Sequence, residues 1–351
     1  MSPQSPPFFR QRDRTTRFIV TGATGFIGRR LIDRLLDEGH TVTAMLHKSE
    51  PKEPLDPRVK TFRADVTQPE TLEGKFADCD VVMHLAGCTI ARSKTEFDFV
   101  NHMGTLNVAR ECARQTAPPR FMFVSSLAAA GPSQPGQPHV ESGPTQPVSD
   151  YGRSKRDAER ALLAMSQEIP LLIARPACVF GDTDPYLLNL FKAAKLGLVL
   201  LAGPGNHRYS FIHVDDLTRA LIHMVECSSV QSSSRPHVEH GLFKRERDRS
   251  ETHAVSSDAT GNSAYGGANS WCAETVSQGT KSNSANHAAI SRGDSKPTLA
   301  YMAHSSPLTL REFAGLVAES VGTRKVRQIR LPSVFCWMLA AINSQASRLL
   351  R

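Results

Sequence analysis

Short apolar runs alternate along this chain with stretches whose apolar positions recur every three or four residues. Residues 17–21, R-F-I-V-T, form a compact apolar run of the kind that becomes a buried strand. The turn G-A-T-G-F-I-G follows. Leu31, Leu35 and Leu36 then trace one stripe of an amphipathic helix, with Arg29, Arg30, Asp33 and Asp37 on its wet side. Gly39 ends that helix, and T-V-T-A-M-L supplies a second strand. V-K-T-F-R-A-D-V, D-V-V-M-H-L-A-G, R-F-M-F-V-S-S and P-L-L-I-A-R-P read as further strands, most of them separated by helical segments. Strands alternating with helices predict βαβ units, hence an α/β fold: a Rossmann-type, doubly wound parallel sheet with helices on both faces.

The pattern breaks near Ser228. From there to about Pro297 the chain is rich in Ser, Asn, Gly, Thr and charge. Such a segment buries too little apolar surface to offset its ordering entropy, so 228–297 reads as a disordered insert. Apolar patterning resumes at T-L-A-Y-M-A, and P-L-T-L-R-E-F-A-G-L-V-A-E-S-V-G reads as a capped helix.

Composition narrows the function classes. A chain of 351 residues with 40% hydrophobic residues has room for about two domains and a real core. The net charge of +8 invites a nucleic-acid reading, but the basic residues are scattered and no Lys/Arg block is interleaved with aromatics. Anionic small molecules are the expected partners, not nucleic acid. Seven dispersed cysteines form no C-x-x-C pair and no metal-ligand spacing, so no metal is expected and the thiols read as reduced in a cytoplasmic setting. The N-terminal segment lacks the apolar core of a secretory signal. The apolar run 334–342 is too short to cross a bilayer, so no membrane span is expected.

Three stretches carry chemistry. T-G-A-T-G-F-I-G sits where a strand becomes a helix, the setting that a dinucleotide site requires. Gly22 permits the tight turn, Gly25 lets backbone approach a pyrophosphate, and Gly28 allows close helix–strand packing, while the helix N-terminus offers free N–H groups. Gly22, Thr24, Gly25, Phe26, Ile27 and Gly28 are the candidate contacts; an ordinary glycine-rich turn is the alternative. At the end of the second strand, His47 and Lys48 stand where a carboxylate would bind a free ribose 2′-hydroxyl, and no acid follows until Glu50. That leans towards NADP(H), with NAD(H) as the alternative, although two solvated surface residues would look the same. In D-Y-G-R-S-K, Tyr151 and Lys155 are four apart on a predicted helix and share one face. A cation beside a phenol favours the phenolate, yet this spacing alone is common by chance.

In order along the chain stand T-G-A-T-G-F-I-G, Asp65-Val66, H-L-A-G at 84–87, N-H-M-G-T-L-N-V at 101–108 and V-S-S-L-A-A-A-G at 124–131. Y-G-R-S-K, R-P-A-C-V-F-G at 175–181 and F-I-H-V-D-D-L at 211–217 follow. This series resembles the extended short-chain dehydrogenase/reductase family, in its NAD-dependent epimerase/dehydratase and 3β-hydroxysteroid-dehydrogenase-like branch. The match covers 17–227 and, more weakly, 298–342. The resemblance implies that Asp65 and Val66 contact adenine, that Leu85, Ala86 and Gly87 line the cofactor, and that Pro176 and Val179 border the nicotinamide. It further implies a catalytic set of Tyr151, Lys155 and Ser126, with Ser125 as structural neighbour and Asn101 positioning the active-site helix or its water. Lys155 would also donate to the nicotinamide ribose, and a homodimer would form through the helices that carry Asn101 and Tyr151.

The expected division is a flexible tail at 1–15, a dinucleotide-binding Rossmann domain of 16–182 with 208–227, and a small substrate-binding part of 183–207 with 298–351. The early end of the chain raises the expectation of a truncated lid. Ala130 stands where the family often carries a tyrosine. His84 and His213 read as satisfied core histidines, Asp215 and Asp216 as N-capping residues at a helix start, and His207 and Arg208 as solvated loop bases or contacts to an anionic substrate. The leading functional expectation is an oxidoreductase that moves a hydride between a nicotinamide cofactor and a hydroxyl or ketone of a small substrate, steroid-like and isoprenoid-like compounds among them. A nucleotide-sugar epimerase or dehydratase that retains NAD, and a non-catalytic NAD(P)-binding sensor or scaffold, are the alternatives.

Overall fold

The computed structural model describes residues 15–47, 51, 53–134, 137–182, 184, 188–196, 198–202, 207–233, 297–303, 307–320, 322 and 327–331. Lys48 and residues 234–296, nearly all of the expected insert, lie outside this set. Seven parallel strands form the main sheet: β1 (Arg17–Thr21), β2 (Thr41–Leu46), β3 (Lys60–Arg63), β4 (Val81–His84), β5 (Arg120–Val124), β6 (Leu171–Pro176) and β11 (Thr298–Met302). Their spatial order is β11-β6-β5-β4-β1-β2-β3, so the order reverses between β1 and β4. Ligands bind at such a switch point, outside the carboxyl ends of the strands.

The helices cover both faces because both faces of the strands are apolar. Phe18, Val20, Val81, Met83, Met122 and Val124 point to one side, where α1 (Phe26–Asp37) and α6 (Val214–Ser233) bury Leu31, Leu35, Leu217 and Leu221. Ile19, Val82, Phe121 and Phe123 point to the other, against Val108 and Cys112 of α3 (Gly104–Ala113) and Ala158 and Leu162 of α4 (Asp150–Ala164). This period of two within continuous apolar runs is what a doubly covered parallel strand requires. Arg30 on α1 pairs with Asp215 on α6, tying the two helices of one face together.

The remaining described elements make a smaller part. β7 (Cys178–Phe180) pairs with β10 (Phe211–His213), β8 (Leu198–Ala202) with β13 (Arg327–Leu331), and β9 (Arg208–Tyr209) with β12 (Leu308–Thr309). α5 (Leu188–Lys195) and α7 (Leu310–Ser320) complete it, and the Phe313 ring of α7 stacks on Phe211 at 4.1 Å. The predicted cap of α7 is a reciprocal box: Thr309 Oγ1 accepts from Glu312 N at 3.1 Å, and Glu312 Oε2 accepts from Thr309 N at 2.7 Å.

Several boundaries differ from the sequence expectation. β11 follows the insert in sequence yet adds to the edge of the main sheet beside β6, where the reading from sequence places it in the substrate-binding part. α6 runs to Ser233, past the composition break. Asp215 lies inside α6 and makes an ion pair, while the end of the helix is served by His213, whose Nδ1 accepts from Asp215 N at 3.3 Å. His213 keeps 34% side-chain exposure and is therefore a helix cap, not a core histidine.

Candidate active site

The glycine-rich turn has the shape its residues imply. Gly22 adopts φ +69°, and a Cβ there would lie 2.7 Å from the Leu85 carbonyl carbon and 2.8 Å from Ala86 N. The strand β4 exit therefore runs hard against the turn, which only glycine permits. A Cβ on Gly28 would lie 2.2 Å from Gly22 O, so α1 also packs directly on the turn. Gly25 is the N-cap of α1 and supplies no side-chain acceptor, and the first helical turn holds no acid. The leading N–H groups are thus left for an anion at the positive end of the helix. These features fit a dinucleotide pyrophosphate. Thr24 is exposed, Ile27 packs on the core, and Phe26 lies against Gly181 at the end of β7.

At the adenosine end, Asp65 is buried and heavily engaged. Its Oδ1 accepts from Thr67 N at 2.9 Å and Thr67 Oγ1 at 2.6 Å, and its Oδ2 lies 3.1 Å from His47 Nε2. Burial pushes the Asp65 carboxyl up, but the bonds from Thr67 and His47 outweigh it and hold the group well below the usual carboxylate range. Val66 is also buried; its carbonyl accepts from Asn107 Nδ2 at 2.9 Å, and its Cγ2 fills the space that a side chain at Gly104 would need. Sequence reasoning missed Arg63, which reaches from β3 to the His47 carbonyl at 3.0 Å and adds a guanidinium at the end of β2.

The catalytic candidates converge on the first turn of α4. Ser149 caps this helix, accepting from Gly152 N at 3.0 Å. Gly152 itself carries no space for a side chain: a Cβ would lie 2.3 Å from Ala128 O. That close approach seats Tyr151 and Lys155 beside the one-turn helix Leu127–Ala129, whose N-cap is Ser126. Ser126 Oγ accepts from Ala128 N at 3.1 Å, which leaves its O–H as a donor. Gly152→Ala forces the two turns apart, and any turnover at this site is expected to fall about tenfold or more while dinucleotide binding changes little; steady-state kinetics beside a titration with NADH and NADPH checks this.

Lys155 is 4% exposed, with Nζ donating to Val124 O at 3.1 Å and lying 4.8 Å from the Phe123 ring centroid. Burial lowers its pKa to about 8, with Glu159 and Cys88 opposing the shift. For the reductase that the sequence leads one to expect, kcat/KM, which reports the free protein, should fall as pH rises through about 8, where Lys155 loses its charge. A profile that stays flat up to about pH 9 contradicts that role for the cation.

Asn101 is wholly buried in a widened helical turn, Asp98–Met103. Its Oδ1 accepts from Cys88 N at 2.8 Å, and its Nδ2 donates to Cys88 O at 2.9 Å and Ser154 Oγ at 3.0 Å. It therefore holds the loop after Gly87 against α4. Gly87 is exposed, and a Cβ on it would lie 2.9 Å from Asn101 Oδ1 and 3.5 Å from Lys155 Nζ. Leu85 and Ala86 are partly buried beside the glycine turn, Pro176 is buried at the end of β6, and Val179 is half-buried in β7. Ala130 is fully buried and its carbonyl accepts from Gln146 N, so it presents nothing to a ligand. Arg208 donates to Pro307 O at 2.8 Å and so links β9 to the segment before β12.

Two supporting groups were also missed from sequence. Glu159 and Arg175 form a buried bidentate pair, at 2.9 Å and 2.6 Å, between α4 and β6. Ser125 donates to Glu159, and Arg175 Nη1 donates to Tyr301 of β11 at 2.9 Å. Among the described residues Glu38, His40 and Glu226 bring ligand-type atoms within 4.8 Å of one another. However, His40 Nδ1 accepts from the Thr16 N–H at 3.4 Å, so one edge of the ring is already engaged with backbone.

The sequence profile of the NAD dependent epimerase/dehydratase family matches residues 18–235, more than half of the chain. This chain belongs to that family. It is thereby of the extended short-chain dehydrogenase/reductase type, whose members include reductases, dehydrogenases and epimerases. It is 34% identical over 205 residues to the ceramide reductase of Caulobacter vibrioides, covering 58% of this chain and 59% of that protein. It is 27% identical over 223 residues to the 3-beta-hydroxysteroid dehydrogenase of Mycolicibacterium neoaurum, with 59% and 60% covered. The chain thus spans about three fifths of the length of these relatives. Among solved structures, the UDP-glucose 4-epimerase of Thermus thermophilus, in complex with NAD, superposes with a TM-score of 0.62, covering 91% of this chain and 88% of the other at 20% identity. That likeness bears on the fold alone. No described helix is long and apolar enough to cross a membrane.

Proposed function

We propose that the protein is an oxidoreductase that prefers NADP(H) and reduces a ketone, or oxidises the matching alcohol, on a small, largely apolar substrate. The observation that carries this reading is the first turn of α4: Tyr151 one helical turn before a buried Lys155, seated through Gly152 on the turn capped by Ser126. When bound, the nicotinamide supplies or accepts the hydride. The chain's own residues do the rest. Ser126 donates to the substrate oxygen and fixes its position. Tyr151 gives that oxygen a proton in reduction and takes it back in oxidation. Lys155 lends a positive charge that favours the phenolate, and donates to the ribose hydroxyls. The glycine turn holds the pyrophosphate, and the Asp65 carboxylate, positioned by Thr67 and His47, accepts from the adenine amine.

His47 and Arg63 support the NADP(H) preference, because both bring base to the end of β2, where the Arg63 guanidinium donates to the His47 carbonyl. The reductase and steroid dehydrogenase relatives support an apolar carbonyl substrate. Exposed Phe99 and Met103 on the Asn101 turn, with Leu163 on α4, support a homodimer through these helices. A second reading keeps NAD bound through an epimerase or dehydratase cycle. It is favoured by the engagement of His47 with Asp65, which occupies the Nε2 edge of that base. Denaturing the purified protein and identifying the released nucleotide separates the two. An empty protein that binds NADPH at least about tenfold more tightly than NADH supports the first reading. Near-stoichiometric released NAD supports the second. Binding without turnover of any carbonyl or sugar nucleotide would leave a sensor.

A further inference from the structure

We infer that His84 is a positioning residue that locks the glycine-rich cofactor turn to the Asn101 turn beneath the catalytic helix; the inference rests on the function proposed above. His84 ends β4 and is wholly buried. Its ring stacks near Phe121 and Phe123, with centroids at 5.5 Å and 5.9 Å, which fixes its plane. Nδ1 lies 2.8 Å from Thr21 Oγ1 and Nε2 lies 3.0 Å from Thr105 Oγ1.

The partners settle the direction of every bond. The Thr105 hydroxyl donates to the Asn101 carbonyl at 2.6 Å, so its oxygen accepts from His84 Nε2–H. On the other side, Ala86 N donates to Thr21 Oγ1 at 3.1 Å, and the Thr21 hydroxyl has its proton left for Nδ1. One chain therefore runs from Ala86 N–H through Thr21 to His84, and from His84 through Thr105 to the Asn101 carbonyl. A neutral imidazole suits this place, since it carries one acceptor and one donor on opposite edges. Burial, with Lys155 second, pushes its pKa down to about 3, so the ring stays neutral throughout the working range.

Both ends of the chain touch the site. Thr21 immediately precedes Gly22, and Ala86 lies in the strand exit that packs on Gly22. Asn101 grips the Cys88 backbone and Ser154, whose Oγ donates to the Tyr151 carbonyl at 2.8 Å. His84 touches no reacting atom in this arrangement. It sets the distance between the element that would hold the cofactor and the element that carries the acid.

The two edges of the ring can be removed separately. In His84→Asn the amide oxygen takes the place of Nδ1 and keeps the Thr21 bond, and the Thr105 bond is lost. In His84→Gln the longer amide reaches the place of Nε2 and keeps the Thr105 bond, and the Thr21 bond is lost. Hydrogen–deuterium exchange at residues 85–88, 98–105 and 151–154, with an NADPH titration and a melting curve, reads both edges without a known substrate. His84→Asn is expected to speed exchange at 98–105 and 151–154 about tenfold and to leave 85–88 and NADPH affinity unchanged. His84→Gln is expected to speed exchange at 85–88 and weaken NADPH about tenfold, with 98–105 unchanged. Equal changes at all three segments in both variants, following the loss of melting temperature, or no change in either, overturns the inference. If these variants do not fold, the isosteric Thr21→Val and Thr105→Val must reproduce the same split. An unsubstituted protein that binds neither NADPH nor NADH refutes the proposed function, and the exchange pattern still decides the role of His84.

Discussion

Tyr151→Phe is expected to lower turnover by about two to four orders of magnitude while NADPH binding stays within about threefold. The substitution removes only the hydroxyl. The ring keeps its place near Phe97, 6.1 Å between centroids, and the Ser149 cap and the Gly152 contact with Ala128 stay intact. Without the hydroxyl, no group at that position can protonate the substrate oxygen as the hydride arrives. Steady-state rates with the best carbonyl substrate, alongside a fluorescence titration of cofactor, test this. Full activity in the Phe variant would show that the proton comes from elsewhere.

The second large effect concerns stability. Arg175→Met is expected to cost about 3–5 kcal/mol, because it leaves the buried carboxylate of Glu159 without its cation. Glu159 is 1% exposed and Arg175 4%, so water does not reach the orphaned charge. Ser125 and Tyr301 lose part of their network in the same step. Replacing both partners by apolar residues, Arg175→Met with Glu159→Leu, is expected to recover most of the loss. Denaturant titration of the single and double variants measures it. A single variant within about 1 kcal/mol of the parent would contradict the account of this pair. The pair also bears on chemistry. Glu159 lies one turn beyond Lys155, so the ion pair ties to β6 the helix that carries the proposed acid–base pair.

The features legible in the sequence are those written locally. The run Phe18–Thr21, the glycines at 22, 25 and 28 and the stripe Leu31, Leu35, Leu36 each declare their structure within a dozen residues, and the strand–turn–helix they predict is present. The same holds for the capping box Thr309–Glu312 and for the Tyr151–Lys155 spacing. His84 was readable as a satisfied buried histidine, because an imidazole inside an apolar strand has to find partners.

Its partners were not readable. Thr21 and Thr105 lie in other elements, and only the packing of β1, β4 and α3 brings them to the ring. The Glu159–Arg175 pair was hidden for the same reason: each residue looks like an ordinary polar position until α4 is laid on β6. Arg63 sits at the end of a strand where solvated bases are common, and only the pairing of β2 with β3 turns it towards His47. The place of β11 was obscured by the long insert, since proximity in sequence was the guide to proximity in space. The position of Asp215 misled because an acid at a helix start suggests a cap, whereas Arg30 on α1 claims its side chain.

The central claim is a net hydride transfer at a Tyr151–Lys155 site. The most direct measurement incubates the protein with NADPH carrying deuterium at both C4 positions of the nicotinamide and a panel of apolar ketones, and weighs the products. The account predicts one deuterium per alcohol formed, NADPH consumed in equal amount, and none of this in Tyr151→Phe. No oxidation of NADPH, together with interconversion of a UDP-hexose at constant cofactor, would contradict it.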